Sequence, residues 1–223
     1  MRTVHFLVAM LSAAPVAGVS PSHAEEKDNR PAAAIQDNSF LIVEAYNQEA
    51  GVIQHINNLG RSGKDWFYTF TQEWPIGSQT HQFSYTVPYS WLRGEDGHQQ
   101  GIGDVMLNYR YQLSMESATR PAIAPRASLI LPTGNDDKGL GAGSYGAQFN
   151  IPVSKIVTDR ITLHGNAGLT NYFDVQGHSP TSFFLGGSVI YAVDRNLNLM
   201  LEALHEWNES VTNGLVGAMR GSW

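Results

Sequence analysis

The chain has 223 residues and a net charge of −6, and only 15% of it is charged, against about 25% in ordinary soluble domains. Aromatic residues make up 10% and cysteine is absent, which excludes disulfide scaffolds, thiolate metal sites and cysteine nucleophiles. The mildly acidic balance, without a basic tract, argues against a nucleic-acid partner.

Arg2, the apolar run HFLVAMLSAAPVAGV and the small-x-small Ser22-His23-Ala24 have the form of a cleaved signal peptide over residues 1–24. Residues 25–50 read as a lead-in. Its first part, EEKDNRPAAAIQDN, is polar and loose. Its second, SFLIVEAYNQEAG, is an apolar patch without a clean period, expected to form a short helix or strand beside the periplasmic mouth. Nothing downstream reaches the ~18–20 apolar residues of a membrane helix. Any membrane crossing by the 51–223 domain must therefore use strands.

After Gly51 the polarity alternates in segments near 52–59, 65–74, 80–91, 102–113, 122–132, 143–153, 160–173, 182–193 and 196–207. In THQFSYTVPYS, Phe83, Tyr85, Val87 and Tyr89 point one way and Gln82, Ser84 and Thr86 the other, because side chains alternate along a strand. The same two-faced design recurs in 102–113, 143–153 and 160–173. In 182–193 and 196–207 apolar residues fall on both faces, so the sequence leaves those faces unassigned. A sandwich strand typically runs five or six residues, whereas a transmembrane strand needs ~9–11 and often carries aromatic residues near its ends. Trp66 and Trp74 bracket one segment and Phe83 to Trp91 crowd another. The pattern predicts an all-β, antiparallel transmembrane β-barrel of about 10–12 strands.

Connections give a second, weaker signal. PIGSQ, SMESATRP, SKIVTDR and Asp194-Arg195 form a set of shorter periplasmic turns. LGRSGK, LRGEDGHQQG, TGNDDKGLGAG, DVQGHSPTS and NESVTNG form a longer, glycine-rich set of outer loops, as barrels require.

The short motifs fare poorly. GAGSYG (Gly141 to Gly146) matches the dinucleotide fingerprint but runs into alternating AQFNIPV, where no helix can start. His205 and Glu206, as neighbours on a strand, face opposite ways. No HxH or HExxH pair occurs, and Asp136-Asp137 lacks the spacing of a calcium loop. A hydrolase would need a serine beside His164, which the sequence does not place. We expect no catalytic residue, no metal and no cofactor.

Charged and amide residues in mid-strand are more telling. A lipid-facing Arg or Lys near the midplane costs ~2–4 kcal/mol, so such residues should face inward. The candidate lumen-lining positions are Glu73, Asp104, Asn108, Arg110, Arg126, Gln148, Asn150, His164, Asn166, Glu202 and Glu206.

The blocks FLIVEAYNQEAGVIQHI, WFYTFTQEWPIGSQTHQFSYTVPYS, GIGDVMLNYRYQL, PRASLILPTGN and LMLEALHEWNE resemble the outer-membrane family Putative MetA-pathway of phenol degradation, from about Phe40 to Glu209. The resemblance implies a Gram-negative outer-membrane barrel that passes small hydrophobic or aromatic molecules. Its partners would be outer-membrane lipid, those solutes and the barrel-assembly machinery. It brings no catalytic residues. Only GLVGAMRGSW follows the final loop, which either supplies a tenth strand or marks a C-terminal truncation; we expect the latter. The sequence thus points to a passive channel for small apolar solutes. The competing readings are a plugged structural barrel and an outer-membrane hydrolase.

Overall fold

The computed structural model describes residues 11–12, 39, 41–94, 97–193, 197–209, 211–212 and 215–216. Apart from these short pieces, the segment expected to be a signal peptide, the early lead-in and the tail lie outside the described residues. All nine alternating segments become strands. In chain order they are β1 (Gln54–Ser62), β2 (Asp65–Ile76), β3 (Ser78–Gly94), β4 (Gly97–Ile102), β5 (Val105–Tyr111), β6 (Ala122–Ile123), β7 (Arg126–Leu131), β8 (Gly146–Thr158), β9 (Ile161–Tyr172), β10 (Thr181–Ala192) and β11 (Asn198–Glu209). β4 extends a neighbour, and β6 and β7 divide one segment. One 3-10 turn, Asp136–Lys138, interrupts the loop after β7.

The pairings are antiparallel and give the order β11-β10-β9-β8-β7-β5-β3-β2-β1, with β4 paired to β3 and β6 to β8. The result is a half-barrel. Among the described residues β1 does not pair with β11, whose outer edge meets only Leu11–Ser12.

Two connections and one segment differ from expectation. LGRSGK is a tight turn: Ser62 pairs with Asp65, and Gly63 adopts a φ of 59°, the positive value that two-residue hairpin turns require. LRGEDGHQQG is largely strand, with Leu92 opposite Gln99 and Tyr89 opposite Ile102. Pairing in this hairpin satisfies backbone groups that a loop would leave to solvent. Pro125 breaks the segment 122–132, since it has no N–H for the ladder. Tight turns therefore occur at both ends of the sheet, and among the described residues the long connections are 112–121, 132–145 and 173–180.

Burial is inverted relative to a water-soluble core. Gln82, Ser84, Asn108, Arg110, Asn150 and Glu202 are buried, three of them at 1% exposure, while Leu185 is 57% exposed and Leu59, Tyr109, Phe149 and Leu201 are also exposed. The buried apolar residues among those described are few, and three of the six are alanines.

Glycine decides the faces that the sequence left open. Phe184, Ile190, Met200 and Leu204 alternate with outward Leu185, Val189, Tyr191, Leu199 and Leu201, so apolar residues do point inward from β10 and β11. Gly168 leaves room for the Phe184 ring. A Cβ at Gly186 would sit 2.5 Å from Ile42 Cδ1 and 2.9 Å from the Ala203 carbonyl oxygen. These inner positions are apolar because another segment packs on them.

Candidate functional site

That segment is the second half of the lead-in. Residues Leu41–Gln48 form neither the helix nor the strand expected of them. They run extended across the concave, polar face of the half-barrel, and we call them the strap. An extended chain must satisfy its N–H and C=O groups, and here the side chains of the sheet do so. The N–H groups of Leu41, Val43, Ala45, Asn47 and Gln48 donate to Glu202 Oε2 (3.0 Å), Asn166 Oδ1 (2.7 Å), Ser154 Oγ (2.9 Å), Gln112 Oε1 (2.9 Å) and Gln82 Oε1 (2.7 Å). Those acceptors come from β11, β9, β8, the residue after β5, and β3. Asn166 and Gln112 also donate back to the carbonyls of Val43 and Ala45, so each amide grips the strap twice.

Arg110 is the central clamp. Its Nε donates to Asn47 Oδ1 (2.7 Å), Nη1 to the Glu44 carbonyl (2.9 Å) and Nη2 to the Tyr46 carbonyl (2.7 Å). Glu73 balances its charge at 3.5 Å and accepts from Gln82 Nε2 at 2.8 Å. The planar fork of arginine suits three fixed acceptors in a way lysine does not. Ile42 fills the space over Gly186, and Ala45 packs on Ala122 and Ala124.

A corner of the SMESATRP turn closes over Tyr46. The Tyr46 hydroxyl donates to Glu116 Oε2 (2.5 Å), while Glu116 Oε1 accepts from Lys155 Nζ (3.0 Å) and the Ile156 N–H (2.7 Å). Burial, then the Glu116 carboxylate, pushes the Tyr46 hydroxyl well above the usual tyrosine range. Burial alone would raise Glu116, but the hydrogen bonds from Tyr46, Ile156 and Lys155 outweigh it and hold that carboxyl below 4.5.

All eleven positions singled out in the sequence lie on the concave face, but they do different things. Glu73, Arg110, Asn166 and Glu202 hold the strap or its clamp. Asp104 accepts the N–H groups of Gly134 (3.0 Å) and Ala142 (2.7 Å) and so ties down the long loop. Asn108 donates to Ser84 Oγ on β3 (3.2 Å), and Asn150 to Asn166 (3.3 Å). Arg126, Gln148 and Glu206 border an open hollow of about 340 Å³.

The structure does place a serine beside His164: Ser154 Oγ lies 2.7 Å from Nδ1, and Glu44 Oε1 is 3.9 Å from Nε2. Order and residue types suggest a hydrolase triad, but Ser154 is 0% exposed and its oxygen accepts the Ala45 N–H. A nucleophile needs open space beside its oxygen, and the strap fills that space. His164 instead steadies the strap, packing edge-on to Tyr46. Outside, His205 stacks on Trp207. Among the described residues no cluster of His, Asp and Glu could hold a metal ion.

The sequence did not identify Tyr46, Asn47, Gln82, Gln112, Glu116 and Ser154 as parts of one network. The only available signal was the lead-in itself, whose amphipathic residues lack a period because they meet several strands in turn.

Fold and site together define an all-β protein: an antiparallel half-barrel with polar side chains inside, apolar side chains outside and its own N-terminal segment strapped across the interior. The family model described as Putative MetA-pathway of phenol degradation matches residues 45–179, and the chain belongs to that family. The match takes in the strap from Ala45 onward, its Arg110 clamp and the strands through β9. No curated protein matches the chain.

Proposed function

We propose that the protein is an outer-membrane barrel that passes small hydrophobic or aromatic solutes without energy coupling. The inverted burial supports this reading most: exposed Leu59, Tyr109, Phe149, Leu185 and Leu201 would cost heavily in water, but suit acyl chains. Strand length agrees. The 12 residues of β9, β10 or β11 span about 40 Å and, tilted by about 40°, rise through about 30 Å of hydrocarbon. Trp66 lies opposite Trp91, and Trp74 opposite Phe83, as aromatic residues do at the two boundaries of such a layer. The family's name associates it with phenol degradation, which agrees with aromatic solutes. In lipid any part of the β1 and β11 edges left without a partner must be covered, because unpaired backbone groups there cost several kcal/mol each.

The strap favours a second reading, a plugged barrel with an envelope-organising role. Flux separates the two. The full chain, reconstituted in liposomes, should admit toluene-sized aromatic solutes faster than empty vesicles, and a variant lacking residues 39–48 should admit them faster still. If neither preparation exceeds empty vesicles, the channel reading is lost and the structural one remains.

A further inference from the structure

Arg126 faces Arg110 across the β5–β7 ladder, yet the two guanidinium groups are used very differently. Arg110 is fully engaged by the strap and Glu73. Arg126 makes a single hydrogen bond, Nη2 to Gln148 Oε1 at 2.8 Å, and among the described residues no carboxylate lies within 4.0 Å of it. Its Nε is buried with no acceptor. Arg126 is half-buried and set opposite another cation, with Glu73 acting on it only from beyond 4.0 Å, so an anionic partner would stabilise it.

Open space lies beside this group. Arg126 borders a hollow of about 130 Å³ beneath the strap and another of about 340 Å³ on the side of the long loops. Val43, Ile130, Phe184 and Leu204 give the larger hollow an apolar wall, and Gln148 and Asn150 stand beside the guanidinium. Its volume lies at the small end of the ~300–1,000 Å³ typical of ligand cavities, suited to a single ring or a short chain.

We propose that this hollow binds a small organic monoanion, a carboxylate on an uncharged apolar body, with the carboxylate on Arg126. The planar fork of arginine matches two carboxylate oxygens, and an apolar body would meet Phe184, Ile130 and Leu204. Two acidic residues share the lining and fix the ligand's polarity. Asp104 is turned to the Gly134 and Ala142 N–H groups. Glu206 lies four ladder steps from Arg126 through Asn150, Gly168 and Phe184, about 19 Å along the sheet. They repel a second negative charge and orient the anionic end toward Arg126. This deepens the channel reading by naming a solute class, and depends on it for passage but not for binding.

The test uses the full chain in detergent micelles, with phenylacetate and its neutral counterpart 2-phenylethanol as probes in calorimetric titration. Wild type should bind phenylacetate at least about tenfold more tightly, the discrimination expected of a charge-assisted pair. Arg126→Gln should erase the preference, and Arg126→Lys should keep part of it. Equal affinity of wild type for the two probes would overturn the inference without recourse to any variant, as would a preference that survives in Arg126→Gln. Liposome flux of the same probes separates this inference from the channel reading. Arg126-dependent binding without flux leaves the site standing and removes the channel. Equal flux of both probes, with no binding preference, removes the site and keeps the channel.

Discussion

The concave face has two regions built from the same kinds of residue. Beneath the strap, almost every polar side chain has a fixed partner: Arg110, Gln112, Asn166 and Gln82 each hold strap backbone. Beyond it, Arg126, Gln148 and Glu206 border open space. Inward-facing amides and guanidinium groups are therefore not themselves a solute path. They become scaffolding where a chain segment supplies their complement, and remain available for a solute where none does.

Breaking the clamp should have the largest effect. Arg110→Ala removes three hydrogen bonds to the strap and leaves Glu73 buried without its cation, at a cost of about 3–5 kcal/mol. Limited proteolysis should then cut within 41–48, and thermal unfolding should begin earlier. An unchanged melting curve would mean that the strap is not held as described.

Gly186→Ala tests packing without touching charge. The added methyl group collides with Ile42 and with the Ala203 carbonyl. Overpacking of this kind costs about 1–3 kcal/mol. Limited proteolysis within 41–48 should be faster in this variant than in the parent, and equal rates would mean that Ile42 does not pack on Gly186 as described.

Tyr46→Phe should cost about 1.5–3 kcal/mol, the range for a hydrogen bond to a charged group, and it carries a pH signature. Glu116 is held below 4.5 in the folded state, so its contribution is complete above that value and fades as pH falls through the lowered one. Strap retention, read from protease protection, should therefore weaken below pH 4.5 in the parent. The variant should show a smaller acid dependence; an identical acid profile would remove Glu116 from the account.

On the open side the expected change is smallest. Arg126→Gln gives up one hydrogen bond to Gln148 but relieves a half-buried cation with no carboxylate within 4.0 Å among the described residues, so unfolding should shift by no more than about 1 kcal/mol. A loss as large as that of Arg110→Ala would erase the distinction between the two regions.

Alternation at period two was enough, from sequence alone, to place all nine strands and their antiparallel order. It also put Asn108, Arg110, Asn150, His164 and Asn166 on one face and Leu107, Tyr109, Phe149 and Leu163 on the other, because a strand has only two sides. Connections were less legible: hairpin extension beyond Trp91 depends on cross-strand pairing, which no local window contains. The roles of the inner residues were not legible at all. Arg110 and Arg126 are equivalent as sequence, each a lone guanidinium in an alternating strand. Only the hydrogen bonds that residues 41–48 make with Arg110 and not with Arg126 separate the clamp from the open cation. The same segment joins groups as far apart as Leu41 and Glu202, and long-range complementarity of this kind leaves no period in the chain.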